Sequence, residues 1–339
     1  MSPKVSVVIP CYNLGQYLEE AVESVVSQTF QDFEIVIVDD GSTEPATREM
    51  LARYDRPRTR VVRSENRGLP AARNLGIQHS SGPYVCCLDA DDKLERTNLE
   101  KAVRILDEQP SITFVSHWLK TFGIEEVDWT PTECDLRSML GRNQVNGAAL
   151  VRRDAIVAVG GFDESMAHGC EDWNLWLTLL ERGFAGTIIP EILFFYRRRP
   201  DSMSRLMMNG DTHNQLLRGL AEKHEEAYRR HLLDLVFEKE SAIAHLCREN
   251  RRLELDVEYL NGLIQRRREN LSAIEVKAER AEKVKRQREE LQSQRNEAAA
   301  LAARALRNEL SNVYASASWR ITGPLRTVYG WMLRLRARQ

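Results

Sequence analysis

Glu34-Ile35-Val36-Ile37-Val38-Asp39-Asp40-Gly41-Ser42 runs four β-branched residues into two carboxylates and a turn. β-branched side chains suit a pleated surface, and an apolar run bounded by turn residues predicts a strand buried on both faces. Stopping such a strand at Asp39-Asp40 delivers charge to the carboxyl edge of a sheet, where open α/β folds collect their ligands. Upstream, Val5-Ser6-Val7-Val8-Ile9 is equally β-rich and is expected to end at Pro10, which has no N–H for a central ladder. Leu18, Ala21, Val22, Val25 and Val26 recur between them at helical spacing. A β-α-β unit follows, with parallel strands and a right-handed crossover. It sets Pro10-Cys11-Tyr12-Asn13 beside Asp39-Asp40.

Downstream, a third strand over residues 60–63, a helix from about 69 to 79 and the strand Tyr84-Val85-Cys86-Cys87-Leu88 extend the pattern. The fold class is α/β, a doubly wound and mostly parallel sheet. The last of these strands stops at Asp89-Ala90-Asp91-Asp92. Three acids in four residues repel one another unless a cation or solvent screens them. Mn²⁺ or Mg²⁺ takes oxygen ligands, commonly one or two carboxylates plus substrate phosphates, so Asp89 and Asp91 are candidate metal ligands. At the other strand end, Tyr12 offers an aromatic face and Asp40 an acceptor for the ring N–H of a nucleobase. Asp40-Gly41-Ser42 alone would serve equally as a turn and helix cap, and the acidic run alone as a solvated turn.

Val5 to Asn13, Gln28-Thr29-Phe30, Val38-Asp39-Asp40-Gly41-Ser42, Asn66-Arg67-Gly68 with Ala72-Arg73-Asn74, and Leu88-Asp89-Ala90-Asp91-Asp92 together resemble glycosyltransferase family 2. The resemblance covers roughly residues 4–205. It implies a GT-A fold, a nucleotide-diphosphate sugar donor, a divalent metal and inversion at the anomeric carbon. Carried over by position, Pro10, Tyr12, Asn13, Asp40, Gly68 and Arg73 fall on the donor side, and Asp89 and Asp91 serve ribose and metal-diphosphate. Gly160-Gly161-Phe162-Asp163-Glu164 followed by Gly169-Cys170-Glu171-Asp172-Trp173 resembles the family's acceptor-side pattern. It implies Asp172 as the base and Glu171 as its support or an orienter of the acceptor. The competing assignment is a helix N-terminus that favours two acids. His168 is a candidate contact of the diphosphate or acceptor and Arg197 to Arg199 candidate electrostatic aids to the leaving group, with structural or solvated roles open to them.

Composition bounds the rest. A net charge of −2 over 339 residues gives no overall case for nucleic-acid binding. The six cysteines form no C-x-x-C pair, and adjacent Cys86 and Cys87 point to opposite faces of a strand, so reduced core thiols are expected. With no signal peptide and no apolar run of about 18 residues, a cytosolic location follows as an expectation.

The chain changes character across residues 205–230 and then carries no proline until Pro324. Expected domains are 1–220, 228–312 and 318–339. Val236, Ile243, Asn250, Val257 and Ile264 occupy one heptad seam and Leu232, Leu246, Leu253, Leu260 and Ile274 the other, interrupted by Lys239 and Arg267. β-branched a positions with leucine at d predict a parallel homodimer, with a trimer or antiparallel packing within the protein left open. Arg266-Arg267-Arg268 is flanked by acids and reads as a solvated face. The last 21 residues hold five arginines and no acid. With Leu325, Val328, Tyr329, Met332 and Leu335 on one helical face, they suit an anionic membrane surface, or alternatively the protein's own surface. Ser318-Trp319-Arg320-Ile321-Thr322-Gly323-Pro324-Leu325-Arg326 resembles a C-terminal motif of bacterial cell-surface polysaccharide glycosyltransferases. The resulting expectation is a metal-dependent inverting transferase, peripheral on the cytoplasmic face of the inner membrane, with a lipid-linked glycan acceptor. Two alternatives stay open: a scaffold that only binds nucleotide-sugar, and glycosylation of a protein or nucleic acid.

Overall fold

The computed structural model describes residues 2–200, 202, 210–269 and 278–315. Strands β1 (Val5–Cys11), β2 (Phe33–Asp40) and β3 (Thr59–Ser64) alternate with helices α1 (Gly15–Val26) and α2 (Pro45–Ala52), and α3 (Leu69–His79) leads to β4 (Tyr84–Cys87). Short β5 (Lys93–Leu94) and α4 (Asn98–Glu108) precede β6 (Ile112–Gly123), β7 (Asp128–Trp129) and α5 (Leu136–Gly141). Then come β8 (Leu150–Arg152), α6 (Arg153–Ala158), a 3-10 turn (Glu164–Met166), α7 (Glu171–Glu181) and β9 (Ala185–Arg198). Helices α8 (Gly210–Lys223), α9 (Glu225–Glu269) and α10 (Ala278–Ala315) follow.

The sheet order is β3-β2-β1-β4-β8-β6-β9-β5, with β7 paired to β6. The β3-β2-β1-β4 block is parallel, and β8 joins β4 and β6 antiparallel. Chain order reverses between β1 and β4, a topological switch point whose carboxyl edge is the expected ligand crevice. Cys11 pairs with Asp39, which puts Tyr12 and Asp40 at the next step of one edge. Every residue of β1 and β2 is buried, as their uninterrupted apolar runs require. Leu18, Ala21, Val22 and Val25 of α1 pack beneath them in the core.

The expected stop of β1 at Pro10 is corrected: the strand runs on through Pro10, paired with Val38, to Cys11. The β4 ladder reaches only Val8, so Pro10 stands where one flank of β1 has no partner strand and its missing N–H leaves no bond unmade.

The chain forms two compact units, residues 1–230 and 231–339. The first holds the whole sheet. In the second, Leu246, Leu253 and Leu260 are 39, 43 and 44% exposed, and the guanidinium of Arg288 on α10 donates to the Val257 carbonyl of α9 at 2.9 Å. The 318–339 tail, the Ser318 motif and the seam position Ile274 lie outside the described residues. No helix among the described residues is long and apolar enough to cross a membrane.

Candidate active site

Asp40 ends β2 with its carboxylate buried and turned onto the loop before α3. The Arg67 N–H donates to Oδ1 and the Gly68 N–H to Oδ2, each at 3.0 Å. Gly68 takes φ +89°, a left-handed conformation that lets both amides face one carboxylate. Asn13 likewise spends its amide on structure: Oδ1 accepts from the Thr43 and Glu44 N–H groups at 2.8 Å each, and Nδ2 donates to Thr43 Oγ1 at 3.0 Å. Asn13 thereby staples the end of β1 to the start of α2. Between these two anchors Tyr12 stands 43% exposed, its ring available to a planar group.

At the end of β4 the acids meet arginines from distant segments. Arg73 on α3 is 2% exposed; its Nη2 donates to Asp89 Oδ1 at 2.8 Å and its Nη1 to Glu171 Oε1 at 2.6 Å. The guanidinium lies 5.2 Å from the centre of the Phe162 ring, and its Nε has no partner among the described residues. Burial works against the charge on Arg73, but the carboxylates of Asp89 and Glu171 outweigh it and hold the group firmly protonated. Arg73, expected on the donor side, forms a buried bridge between Asp89 at the end of β4 and Glu171 at the start of α7. Asp91 accepts from Arg199 Nε at 2.8 Å, and Asp92 from the Arg197 N–H at 2.7 Å. Burial, then repulsion by Asp89, raises the pKa of Asp91, and burial with repulsion from Asp91 and Asp89 raises that of Asp92 further.

Among the described residues no group of three or more His, Cys, Asp or Glu is arranged to hold a metal ion. The donor set nevertheless fits one shared with phosphate oxygens. Asp89 and Asp91 present hard carboxylate oxygens at one strand end, and a neighbouring cation would relieve the repulsion that raises Asp91.

Asp172 opens α7 beside Glu171. Cys170 before it takes φ +62°, and Gly169 φ +125°, a sharp reversal that aims the first turn of the helix back at α3. Asp172 Oδ1 accepts from the Trp173 N–H at 2.7 Å, and Oδ2 from Asn143 Nδ2 at 3.4 Å. Burial and the adjacent Glu171 push its carboxyl up to about 7, with Arg73 pulling the other way. A carboxylate titrating there is suited to taking a proton near neutral pH. The structure therefore brings Asp89, Arg73, Glu171 and Asp172 together, and keeps Tyr12 and Asp40 on the neighbouring strand ends. His168 is exposed and makes no part of this cluster.

Comparison with known proteins fits this arrangement. The family model "Glycosyl transferase family 2" matches residues 6–159. A putative teichuronic acid biosynthesis glycosyltransferase, TuaG of Bacillus subtilis, is 32% identical over 209 residues, 60% of this chain and 82% of the relative. The chain belongs to glycosyl transferase family 2. The putative glycosyltransferase EpsE of the same organism is 28% identical over 223 residues, 63% of this chain and 80% of the relative. Among solved structures, S. aureus TarS 1-349 in complex with UDP-GlcNAc superposes with a TM-score of 0.55 at 20% identity, covering 64% of this chain and 65% of that one. That likeness establishes the GT-A-type fold shared with family 2 enzymes.

Several residues shape the site through contacts that their local sequence does not signal. Asn74 Nδ2 donates to the Phe162 carbonyl and its Oδ1 accepts the Phe162 N–H, both at 2.8 Å, tying α3 to the acceptor-side loop. Asn143 and Gly147 border Asp172 from a segment with no periodicity to flag them. Arg199 meets Asp91, a pairing that nothing in its local sequence signals.

Proposed function

We propose that this family 2 glycosyltransferase moves a sugar from a nucleotide-diphosphate donor to a hydroxyl of a bacterial surface glycan, with inversion and with Asp172 as the base. The observation that carries it is the Arg73 bridge. One buried guanidinium holds Asp89 of the donor edge and Glu171, the neighbour of Asp172, in a single frame.

Tyr12 stacks on the base, and Asp40, which accepts the Arg67 and Gly68 amides and the Ser64 hydroxyl, keeps a lone pair for a ring N–H. Asp89 and Asp91 would hold a divalent cation, which when bound supplies charge neutralisation at the diphosphate. Asp172 takes the proton of the acceptor hydroxyl as that oxygen bonds to the anomeric carbon, and the bond from carbon to diphosphate oxygen breaks with its electron pair on the diphosphate. Glu171, locked to Arg73, supports the base, and the guanidinium groups of Arg197 and Arg199 add positive charge on the leaving-group side. The teichuronic acid biosynthesis name of one relative supports a surface-glycan acceptor, and the basic 319–339 segment supports a lipid-linked one at the cytoplasmic face of the membrane. Dimerisation through α9 is supported by the exposed Leu246, Leu253 and Leu260 stripe. The Arg288 to Val257 contact favours a second arrangement, in which α10 packs on α9 within one chain.

The test is a nucleotide-sugar panel with Mn²⁺, followed by binding and turnover. Asp91→Ala should lose metal-dependent donor binding, while Asp172→Asn should keep donor binding and lose transfer by roughly 10²–10⁴-fold. Undiminished transfer by Asp172→Asn would remove it as the base, and no donor binding by the intact chain would favour a scaffold.

A further inference from the structure

Residues 144–146 and 148–150 are buried, and within that run Gly147 alone is partly exposed. Most glycines of the sheet domain have a local reason to lack a side chain. A Cβ at Gly76 would meet Val8 Cγ1 at 2.2 Å, one at Gly186 would meet Phe114 Cε2 at 2.0 Å, and Gly41 sits at φ +70°. Gly147 has neither reason. Its backbone lies outside the left-handed region, and a Cβ would meet only Arg73 Nη2 at 3.5 Å and Asp172 Oδ2 at 3.8 Å, both ordinary van der Waals distances. The missing methyl leaves room in front of the carboxylate oxygen that would take the proton.

Asn143, four residues earlier, borders the same oxygen. Its Oδ1 accepts from the Val145 N–H at 3.1 Å, which fixes the orientation of the amide and leaves Nδ2 to donate to Asp172 Oδ2 at 3.4 Å. Catalytic hydrogen bonds of unliganded enzymes are commonly this long and tighten when substrate is bound. Each oxygen of Asp172 accepts one N–H and keeps a second lone pair, and Oδ2 is the one that faces Gly147.

We propose that the 143–147 segment is the seat of the acceptor hydroxyl: Gly147 leaves the gap through which a sugar or polyol hydroxyl reaches Asp172 Oδ2, and Asn143 is a positioning residue that aims that oxygen at it. This rests on Asp172 being the base. The charged and titratable groups facing Asp172 are Glu171 and Cys170 on its own segment, Arg73 on α3 and Asp89 at the end of β4. Asn143 adds the neutral donor. An N–H donated to the ionised carboxylate favours that form, so its removal raises the pKa.

Two measurements on the full chain test the proposal. Without any substrate, ¹⁵N-tryptophan labelling follows the Trp173 amide, which donates to Asp172, through a pH titration. Asn143→Leu should move the midpoint upward by about one unit, a tenfold change in proton affinity; an unmoved midpoint overturns the role of Asn143. With the nucleotide-sugar returned by the panel and 1 M glycerol as acceptor probe (roughly that concentration, enough for a weak polyol to compete with water), the ratio of glyceryl glycoside to free sugar is measured. Gly147→Val should lower that ratio at least about tenfold while the KM for the donor holds. An unchanged ratio, or wild-type protein that hydrolyses donor without glycosylating glycerol, overturns the seat. Turnover retained in Asp172→Asn would instead sink the base assignment on which the seat depends, and the amide titration still reads Asn143 independently of it.

Discussion

A carboxyl titrating at about 7 keeps its proton in the folded protein across a range where the unfolded chain has released it. Between roughly pH 4 and 7 the native state binds more protons at Asp172, so its contribution to stability falls as pH rises through that window. Asp172→Asn should therefore unfold at higher urea concentration than wild type at pH 8, by on the order of 1 kcal/mol, while its transfer activity is lost. Wild-type transfer should rise with pH along a limb centred near 7; a flat profile from pH 5 to 9 would contradict the base assignment. Arg73 has the opposite balance. Arg73→Met leaves Glu171 buried without its cation and should cost about 3–5 kcal/mol by chemical denaturation. The place of Glu171 and Asp172 in the first turn of α7 was readable in the sequence because their neighbours form a local motif. The Arg73 bridge was not, because its partners lie 16 and 98 residues away and no local pattern selects them.

Elements that alternate regularly were readable in advance: α3 was expected over about 69–79 and spans Leu69–His79, and β3, expected over 60–63, spans Thr59–Ser64. The helix packs on the parallel block through Gly76, whose missing side chain admits Val8 and Val38. Gly76→Ala would push a methyl into Val8 and should destabilise the protein by about 1–3 kcal/mol in a urea titration, since overpacking a dense core forces displacement. The long pair β6 and β9 was not readable. Pro190 interrupts β9, and its pairing jumps from His117 with Ile189 to Trp118 with Ile192, so Pro190 and Glu191 bulge from the ladder. A proline within an apolar run argues against a strand unless a bulge takes it out of the hydrogen-bonding line, and the bulge is a property of the pairing.

For the chain as a whole, the compact first unit ends at residue 230, ten residues past the boundary expected from composition. The difference has a cause in packing. Lys223 donates to Asp163 Oδ2 at 2.6 Å, His224 Nδ1 lies 2.8 Å from Glu181 Oε2, and the Tyr228 hydroxyl donates to the Leu140 carbonyl at 3.1 Å. These contacts hold the start of the helical region on α5, α7 and the turn before α7. Residues 1–230 should unfold in one cooperative transition and bind the donor, whereas truncation at 220 should lower the midpoint. By sedimentation, residues 1–230 should run as a monomer and the full chain as a dimer; a monomeric full chain would favour α10 packing on α9.

The ladder joining Lys93 and Leu94 to Phe194 and Phe195 spans about a hundred residues of sequence, and Asp91 meets Arg199 across 108. During synthesis the three acids after β4 leave the ribosome long before the arginine that will face them. Arg73 is already present to steady Asp89, but Asp91 and Asp92 must wait for the end of β9. A nascent chain halted short of residue 199 would thus carry the acids after β4 on an unfinished sheet, and the order of translation itself delays the assembled site until the domain is almost fully made.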